Sequence, residues 1–435
     1  MTISRPVSGR AIVALAVPAL GSLAADPVLS LVDTAFVGRL GAIPLAALAI
    51  DTALFAFAFS IFNFLAYATT PMVAQARGRG DIAGSGLIVR RAMALALGLG
   101  AVSTAVLALA AEPLVRLMQA APEVVDPAVS YLRIRAFAVT ALLIITAANG
   151  AYRGFKDTKT PLYVTLAVNG LNVVLDWWFI FGLEFGLEGA AVATVIAQWI
   201  GALVFVWLLR GVGRRERWAS DRIRLVDLRP FVTVGGVLVV RTLMIMLSLT
   251  IAAAAASRIG TIEVAAHQVV AQLWFLLAMV VDALAIAAQA LVAELEGADD
   301  RKGVRELSDR LLKWGVGVGV VLGVAVGVGG HLLAPVFTTD AAVQDGIRSV
   351  LFIAALMQPI AAWVFVADGI YLAKLAIRLL AMSTAVGLVG VLAALGLTLA
   401  YGWGLAGVWW AMTAMVVGRF AVLALAHYRP TASSS

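Results

Sequence analysis

Three polar side chains interrupt an apolar segment between residues 161 and 183. Asn172 and Asp176 are four residues apart, which puts them on one face of a helix, and Asn169 lies one turn earlier. An ionised aspartate at the centre of a membrane-spanning helix costs roughly 2.5–3.5 kcal/mol on insertion scales, so such residues are functional candidates by default. Asp176 therefore predicts a partner group and a function.

Two further polar stripes could supply that partner. The stripes comprise Ser22, Asp26 and Asp33 in the first apolar run and Thr194 and Gln198 in the sixth. If these oxygens converge with those of Asp176, they form a small site for Na⁺ or for a proton that Asp33 and Asp176 share. Two neighbouring acids cannot both ionise cheaply in a low dielectric. The simpler alternative is a buried acid whose Asn and Thr neighbours satisfy it.

Two prolines lie in the same first run. Pro18 removes a backbone hydrogen bond and kinks a helix, so it is either a hinge coupled to Asp33 or a static kink. Asp26 precedes Pro27, where it is either a supporting ligand or a group that opens the helix turn. Both pairs of alternatives stay open from the sequence.

Arg241 lies within the seventh apolar run, where a lone guanidinium is very costly. We expect an acidic partner, Asp282 or Asp368. This C-lobe charge pair is either a structural ion pair or a pair linked to substrate or gating.

Two stripes of uncharged residues have a packing interpretation. Phe55, Phe59 and Phe62 share a helix face, for which packing or lipid contact is simpler than a cation–π cavity wall. Glycines at intervals of four predict a close helix contact. They are Gly315, Gly319, Gly323 and Gly327.

Composition places the chain in a membrane. It has 435 residues, of which 62% are hydrophobic and 13% charged, against about 45–50% and about 25% in soluble proteins. Twelve runs are long enough to span a bilayer. They lie near 11–36, 45–70, 87–111, 128–151, 161–183, 189–209, 230–256, 264–291, 312–334, 347–371, 378–399 and 404–426.

Charge distribution predicts orientation. The net charge is +7, and most Lys and Arg residues occupy the N-terminal stretch and every second loop, whereas the alternate loops hold Arg39, Arg116 and Arg258. The positive-inside rule then places both termini in the cytoplasm. The basic charge indicates topology rather than nucleic-acid binding.

The two halves of the chain repeat each other. RLGAIPLAALAI (39–50) matches RIGTIEVAAHQV (258–269), and ANGAYRG (148–154) matches ADGIYLA (367–373), both at an offset of 219 residues. Since six spans is an even number, the repeats enter the membrane in the same direction, as in transporters with a site between two lobes. The sequence predicts an N-terminal six-helix lobe (1–209), a cytoplasmic Arg-rich linker (210–229) and a C-terminal six-helix lobe (230–435). The acids Asp26, Asp33 and Asp176 have no acidic counterparts in the second half.

Several stretches together resemble the multidrug and toxic compound extrusion (MATE) family. They are VDTAFVGRLG (32–41), AYRGFKDTKTP (151–161), NVVLDWWFIFG (172–182) and GAAVATVIAQ (189–198). The DinF-like branch of the family is resembled by DPVLSLVDTAFVG (26–38), RTL (241–243), AAHQ (265–268), VDALAIAAQALV (281–292) and QPIAAWVFVADG (358–369).

The resemblance implies an all-α integral membrane protein with twelve transmembrane helices in two parallel six-helix repeats around a central cavity. It implies an antiporter that exports cationic or amphipathic compounds in exchange for H⁺ or Na⁺. The family positions that bind the coupling ion match Asp33, Asn172, Asp176 and Thr194, and a helix-bending proline matches Pro18. Asn169, Gln198 and Asp26 are supporting candidates. Arg241 replaces an acid that some branches carry in helix 7, which favours the first lobe for coupling.

Other expectations follow from the same pattern. We expect no enzyme activity, since no nucleophile or phosphate-loop motif occurs, and no cofactor or metal beyond the coupling ion. We expect a monomer in the inner or plasma membrane whose partners are lipid and small organic substrates, without nucleic acid. An organic-anion exporter using Arg241 and a flippase for lipid-linked precursors remain the alternatives.

Overall fold

The computed structural model describes residues 7–218 and 223–429, and α-helices make up nearly all of that part. The helices are α1 Gly9–Gly38, α2 Ala42–Phe62, α3 Phe64–Gly78, α4 Ile82–Leu109, α5 Ala111–Leu117, α6 Pro122–Ala136, α7 Ala138–Gly154, α8 Lys159–Trp177, α9 Gly186–Arg215, α10 Arg229–Ile259, α11 Thr261–Gly297, α12 Arg301–Phe337, α13 Ala341–Ala373, α14 Ile377–Tyr401 and α15 Gly404–Tyr428. A π-helical turn, Trp178–Gly182, extends α8, and a 3-10 turn, Leu225–Leu228, precedes α10.

The helices provide the predicted number of membrane spans. Eleven are long and apolar enough to cross a bilayer, with α2 and α3 counted together. The pair α6 and α7, bent by 45° at Phe137, makes the twelfth. The prediction of an all-α membrane protein with twelve spans is confirmed.

The chain divides into two compact units. The first unit comprises residues 14–235 and 297–299, and the second comprises residues 236–296 with the described parts of 1–13 and 300–435. The predicted linker 210–229 includes residues 219–222, which lie outside the described residues. The predicted lobe boundaries stay a prediction.

Helix α7 lies at the centre of the first unit, where it packs against α3, α4 and α9. Its close approach to α3 depends on Gly150, where an added Cβ would lie 2.9 Å from the Cα of Ala66. Helices α8 and α9 pack beside it. This core positions the polar side chains of α8 and α9 that the sequence singles out.

The glycine stripe of α12 lies against α13 in the second unit. A Cβ at Gly319 would lie 2.7 Å from the backbone oxygen of Gln358, and one at Gly323 would lie 2.6 Å from that of Ala355. Gly315 meets Val366 at 2.8 Å, whereas Gly327 is looser. The predicted close helix contact is therefore present along three of the four glycines.

Replacing Gly319 with alanine is expected to lower the free energy of unfolding by about 1–3 kcal/mol, because the methyl group overpacks the α12–α13 contact. Gly317 is the matched control, since a Cβ there meets nothing within 4 Å. Gly317→Ala should be neutral or stabilising by up to about 1 kcal/mol through helix propensity. Unfolding of the detergent-solubilised protein by SDS, followed by circular dichroism, measures both. Equal effects of the two substitutions would contradict the close contact.

Candidate acid-lined cavity of the first unit

Two acids from different helices meet in the first unit. The carboxyl groups of Asp33 in α1 and Asp176 in α8 lie within hydrogen-bonding reach of each other. Asn172 Nδ2 donates to Asp176 Oδ2 at 3.1 Å, and both residues are 1% exposed. Since a hydrogen bond between two carboxyl groups requires a proton on one of them, this geometry suits a shared proton.

The backbone changes conformation directly after this site. Helix α8 ends at Trp177, and the chain continues as the π-helical turn Trp178–Gly182. Such turns occur frequently at functional sites, because the wider turn rotates the side chains that flank it. Asp176 therefore lies where α8 departs from regular geometry.

Several oxygens of this group are buried without a donor. No N–H or hydroxyl group of the described residues donates to Asp33 Oδ1, Asp176 Oδ1 or Asn172 Oδ1. A buried polar atom that lacks a hydrogen bond costs about 1–3 kcal/mol. A bound cation or proton would stabilise these three oxygens.

Asp33 lines a cavity of about 480 Å³, and so does Asn172, which donates to Asp176. Of the other sequence candidates, Asp26, Asn169, Thr194 and Gln198 all line it. Asn169 Nδ2 lies 3.4 Å from Asp26 Oδ1. The Thr194 hydroxyl donates to the carbonyl of Ala190 at 3.0 Å, so its oxygen lone pairs remain available as acceptors. All the first-half candidates except the hinge proline thus lie at or beside one cavity.

Pro18 lies inside a continuous α1 and does not line the cavity. Ser22, one turn further on, does line it and approaches Thr165 Oγ1 at 3.4 Å. The helix segment before Pro18 is fixed to α8, since the Thr158 hydroxyl donates to the carbonyl of Leu15 at 2.9 Å.

Sequence reasoning missed two charged residues at this site. Arg135 in α6 lines the cavity and interacts electrostatically with both Asp33 and Asp176. Its Nε lies 3.7 Å from Oδ2 of Asp51, which is 1% exposed. The rule that singled out Asp176, an acid within an apolar run, applies equally to Asp51 and would have found it.

Two phenylalanines also belong to the cavity wall. Phe55 and Phe59 line it with stacked rings whose centroids are 5.6 Å apart, and the Arg135 guanidinium lies 4.8 Å from the Phe55 centroid. Phe62 does not line it. The sequence favoured packing or lipid contact for this stripe over a cavity wall. The structure places two of its three rings in the cavity wall.

The second unit holds the predicted partner of Arg241. Arg241 donates to Asp368 Oδ2 at 2.6 Å, and Arg419 donates to the same oxygen. Arg241, Arg419 and Asp368 are all buried, and Asp282 interacts electrostatically with Arg419. The sequence argument gave Asp368 as one of two candidates for Arg241 and did not foresee Arg419.

The sequence is similar to a known family of membrane proteins. The MatE family model matches residues 18–178 and 238–398. Protein DETOXIFICATION 44, chloroplastic, of Arabidopsis thaliana is 36% identical over 377 residues, which are 83% of this chain and 71% of that protein. A probable multidrug resistance protein NorM of Rhizobium meliloti is 34% identical over 73% of this chain and 70% of its own.

The fold has a solved counterpart. The crystal structure of the Vibrio cholerae MATE transporter VcmN in the bent form matches with a TM-score of 0.87. The match covers 96% of this chain and 95% of that chain at 22% sequence identity. It supports the same fold.

Replacing Asp51 with asparagine is expected to lower the free energy of unfolding by about 3 kcal/mol. Removing one partner of a buried ion pair costs about 3–5 kcal/mol, and Arg135 retains two other acids nearby, so we expect the low end. Glu112→Gln is the control, because Glu112 pairs with Arg116 at 2.9 Å while 49% exposed. Such a surface pair contributes less than about 1 kcal/mol. SDS unfolding of both variants measures the difference, and a stable Asp51→Asn variant would mean that Asp51 does not balance Arg135.

Proposed function

The chain belongs to the multidrug and toxic compound extrusion (MATE) family, and from that premise we propose that it exports cationic or amphipathic organic compounds in exchange for protons. Members of this family are membrane transporters rather than enzymes, and they move small organic substrates. The coupling ion, the charge of the substrate and the residues involved are the parts that we propose.

The contact between Asp33 and Asp176 carries the proposal. One proton between the two carboxyl groups makes a neutral hydrogen bond with a single remaining negative charge. Removing that proton leaves two negative charges in a low dielectric, which is costly. Protonation therefore changes the energy of this part of the first unit by a large amount, as a coupling site requires.

The cavity that borders this pair supports an organic cation as substrate. Four acids surround it or lie beside it, Asp26, Asp33, Asp51 and Asp176, against the guanidinium groups of Arg135 and Arg153. The stacked rings of Phe55 and Phe59 offer a flat aromatic surface. Net negative charge together with an aromatic wall favours an aromatic cation. Protonation of the acids weakens that attraction, so proton binding and substrate binding oppose each other.

The position of Arg135 favours H⁺ over Na⁺. Its guanidinium already faces Asp33 and Asp176, so a sodium ion there would be a second unit charge close to the first. A proton on a carboxyl group instead removes a charge.

Coupling requires only a modest difference between the free energies with which the inward-facing and outward-facing states bind the ion or the substrate. A shift from 1:99 to 99:1 takes about 5.5 kcal/mol of differential binding. Pro18 interrupts the hydrogen bonds of α1 fifteen residues before Asp33, where a hinge would transmit the change. We place the chain as a monomer in the inner or plasma membrane with cytoplasmic termini, in accordance with the positive-inside rule.

The organic-anion alternative depended on Arg241 facing a substrate. In the second unit Arg241 is 7% exposed and donates to Asp368, a buried acid that it shares with Arg419. This arrangement favours the structural interpretation of the pair and weakens the case for anion export.

Asp33→Asn and Asp176→Asn are each expected to abolish proton-driven transport, because neither amide can take part in a titratable acid pair. Ethidium movement in proteoliposomes, with a proton gradient and a sodium gradient imposed separately, measures this. Asp345→Asn is the control, since Asp345 is a 75% exposed acid in a surface pair and should transport normally. Undiminished transport by both site variants would overturn the proposed coupling site. Wild-type transport driven by sodium alone would overturn the choice of proton.

The double variant Arg135→Gln/Asp51→Asn tests the choice of ion. It removes the competing positive charge together with one of its negative partners, so the net charge of the site does not change. We expect a sodium gradient to drive ethidium transport by this variant but not by the wild type. If the folded double variant still responds only to protons, Arg135 is not what excludes sodium.

A further inference from the structure

The second unit contains a cavity of its own, of about 220 Å³. Its walls come from the C-terminal part of α10 and the N-terminal parts of α11 and α15. Its lining includes His267, Gln272, Trp274 and Trp409. It is separate from the Arg241–Asp368 pair, neither member of which lines it.

The sequence repeat makes this cavity the counterpart of the acid-lined one. Residues that line the first unit's cavity correspond, at an offset of 219 or 218, to residues that line the second unit's cavity. The pairs are Ser30 with Leu249, Thr34 with Ala253, Leu48 with His267, Thr52 with Ala271, Ala56 with Phe275 and Thr194 with Met412. The repeated frame therefore encloses a cavity twice.

The chemistry of the two cavities differs. At the repeat offset, Asp33 and Asp51 correspond to Ala252 and Val270. None of the described residues that line the second cavity is an Asp, Glu, Lys or Arg. Trp274 and Phe275 supply aromatic surface, with ring centroids 5.7 Å apart. An ion has no counter-charge here, whereas an uncharged aromatic ring has suitable walls.

Two buried nitrogens in this lining have no partner among the described residues. They are His267 Nδ1 and Trp409 Nε1, and their residues are 5% and 1% exposed. The two rings lie against each other with centroids 5.7 Å apart. Buried tryptophan N–H groups usually find an acceptor, so a lone one on a residue that lines a cavity points to an acceptor supplied by a ligand.

We propose that this cavity is a second binding site, which takes an uncharged single-ring aromatic molecule bearing a hydroxyl or carbonyl oxygen. The oxygen accepts the Trp409 Nε1–H, and a second polar group of the ligand pairs with His267 Nδ1. The size fits one ring, since a 150 Å³ apolar cavity binds benzene. The site goes beyond cation export and does not depend on the acid pair of the first unit.

Binding of 3-fluoro-4-hydroxybenzamide to the full-length protein in detergent tests the site. The probe combines one ring, a phenolic hydroxyl and a carbonyl, and its fluorine NMR linewidth reports binding without any gradient. We expect saturable binding of this probe, weaker binding of fluorobenzene and none of 4-fluorobenzyltrimethylammonium at this site. Absence of saturable probe binding would mean that the two nitrogens are satisfied by water only, and would overturn the proposal.

Substitutions locate the binding. Trp409→Phe keeps the ring but removes the N–H, and should raise the probe's Kd about threefold to tenfold, as one hydrogen bond is worth. Ala253→Leu fills the cavity and should abolish binding. Trp410→Phe is the matched control, because the neighbouring Trp410 is 48% exposed and outside the lining.

Failure of the binding site and failure of the proposed antiport give different results. Probe binding that is unchanged in folded Trp409→Phe and Ala253→Leu would place the ligand elsewhere and overturn the proposal. Ethidium transport by the same variants is a separate readout. Failure of the wild type to transport ethidium would count against the proposed antiport and leave this binding site standing.

Discussion

The cost of placing charge in an apolar membrane shapes both units of this protein. Every charge within a span must be matched by an opposite charge, a hydrogen bond or a bound ion. In the first unit Arg135 faces Asp51, Asp33 and Asp176. In the second unit two arginines share Asp368.

The repeat separates what the frame requires from what each unit adds. Both halves build a cavity at the corresponding place, and pairs such as Thr52 with Ala271 line the two cavities at the repeat offset. The repeated helices therefore form a cavity in both halves, whereas the acids line only the first one. Asp33 corresponds to Ala252, and Leu48 corresponds to His267. The chemistry of the two cavities differs because a few side chains on a shared frame differ.

Much of the fold follows from the sequence, and much of the site does not. The number of spans follows from the length of the apolar runs. The α12 glycine stripe and the shared face of Asn172 and Asp176 are each properties of one helix, and helix periodicity predicts them. The contact of Arg419 with Asp368 joins residues of two helices, and no spacing along the chain encodes which faces meet. Phe55 shows the same limit, because its stripe fits lipid contact and a cavity wall equally well until α6 brings Arg135 to it.

The kind of pairing determines which cluster can act as a switch. An acid paired with arginine keeps its charge, since the guanidinium remains protonated and holds the carboxylate ionised. In the Asp368 cluster two arginines donate to one carboxylate oxygen. An acid paired with another acid has a charge that depends on one proton. Asp33 and Asp176 have this form. The positive charge of Arg135 beside them offsets part of the negative charge of the pair. This difference in pairing is why the proton coupling that we propose is assigned to the first unit.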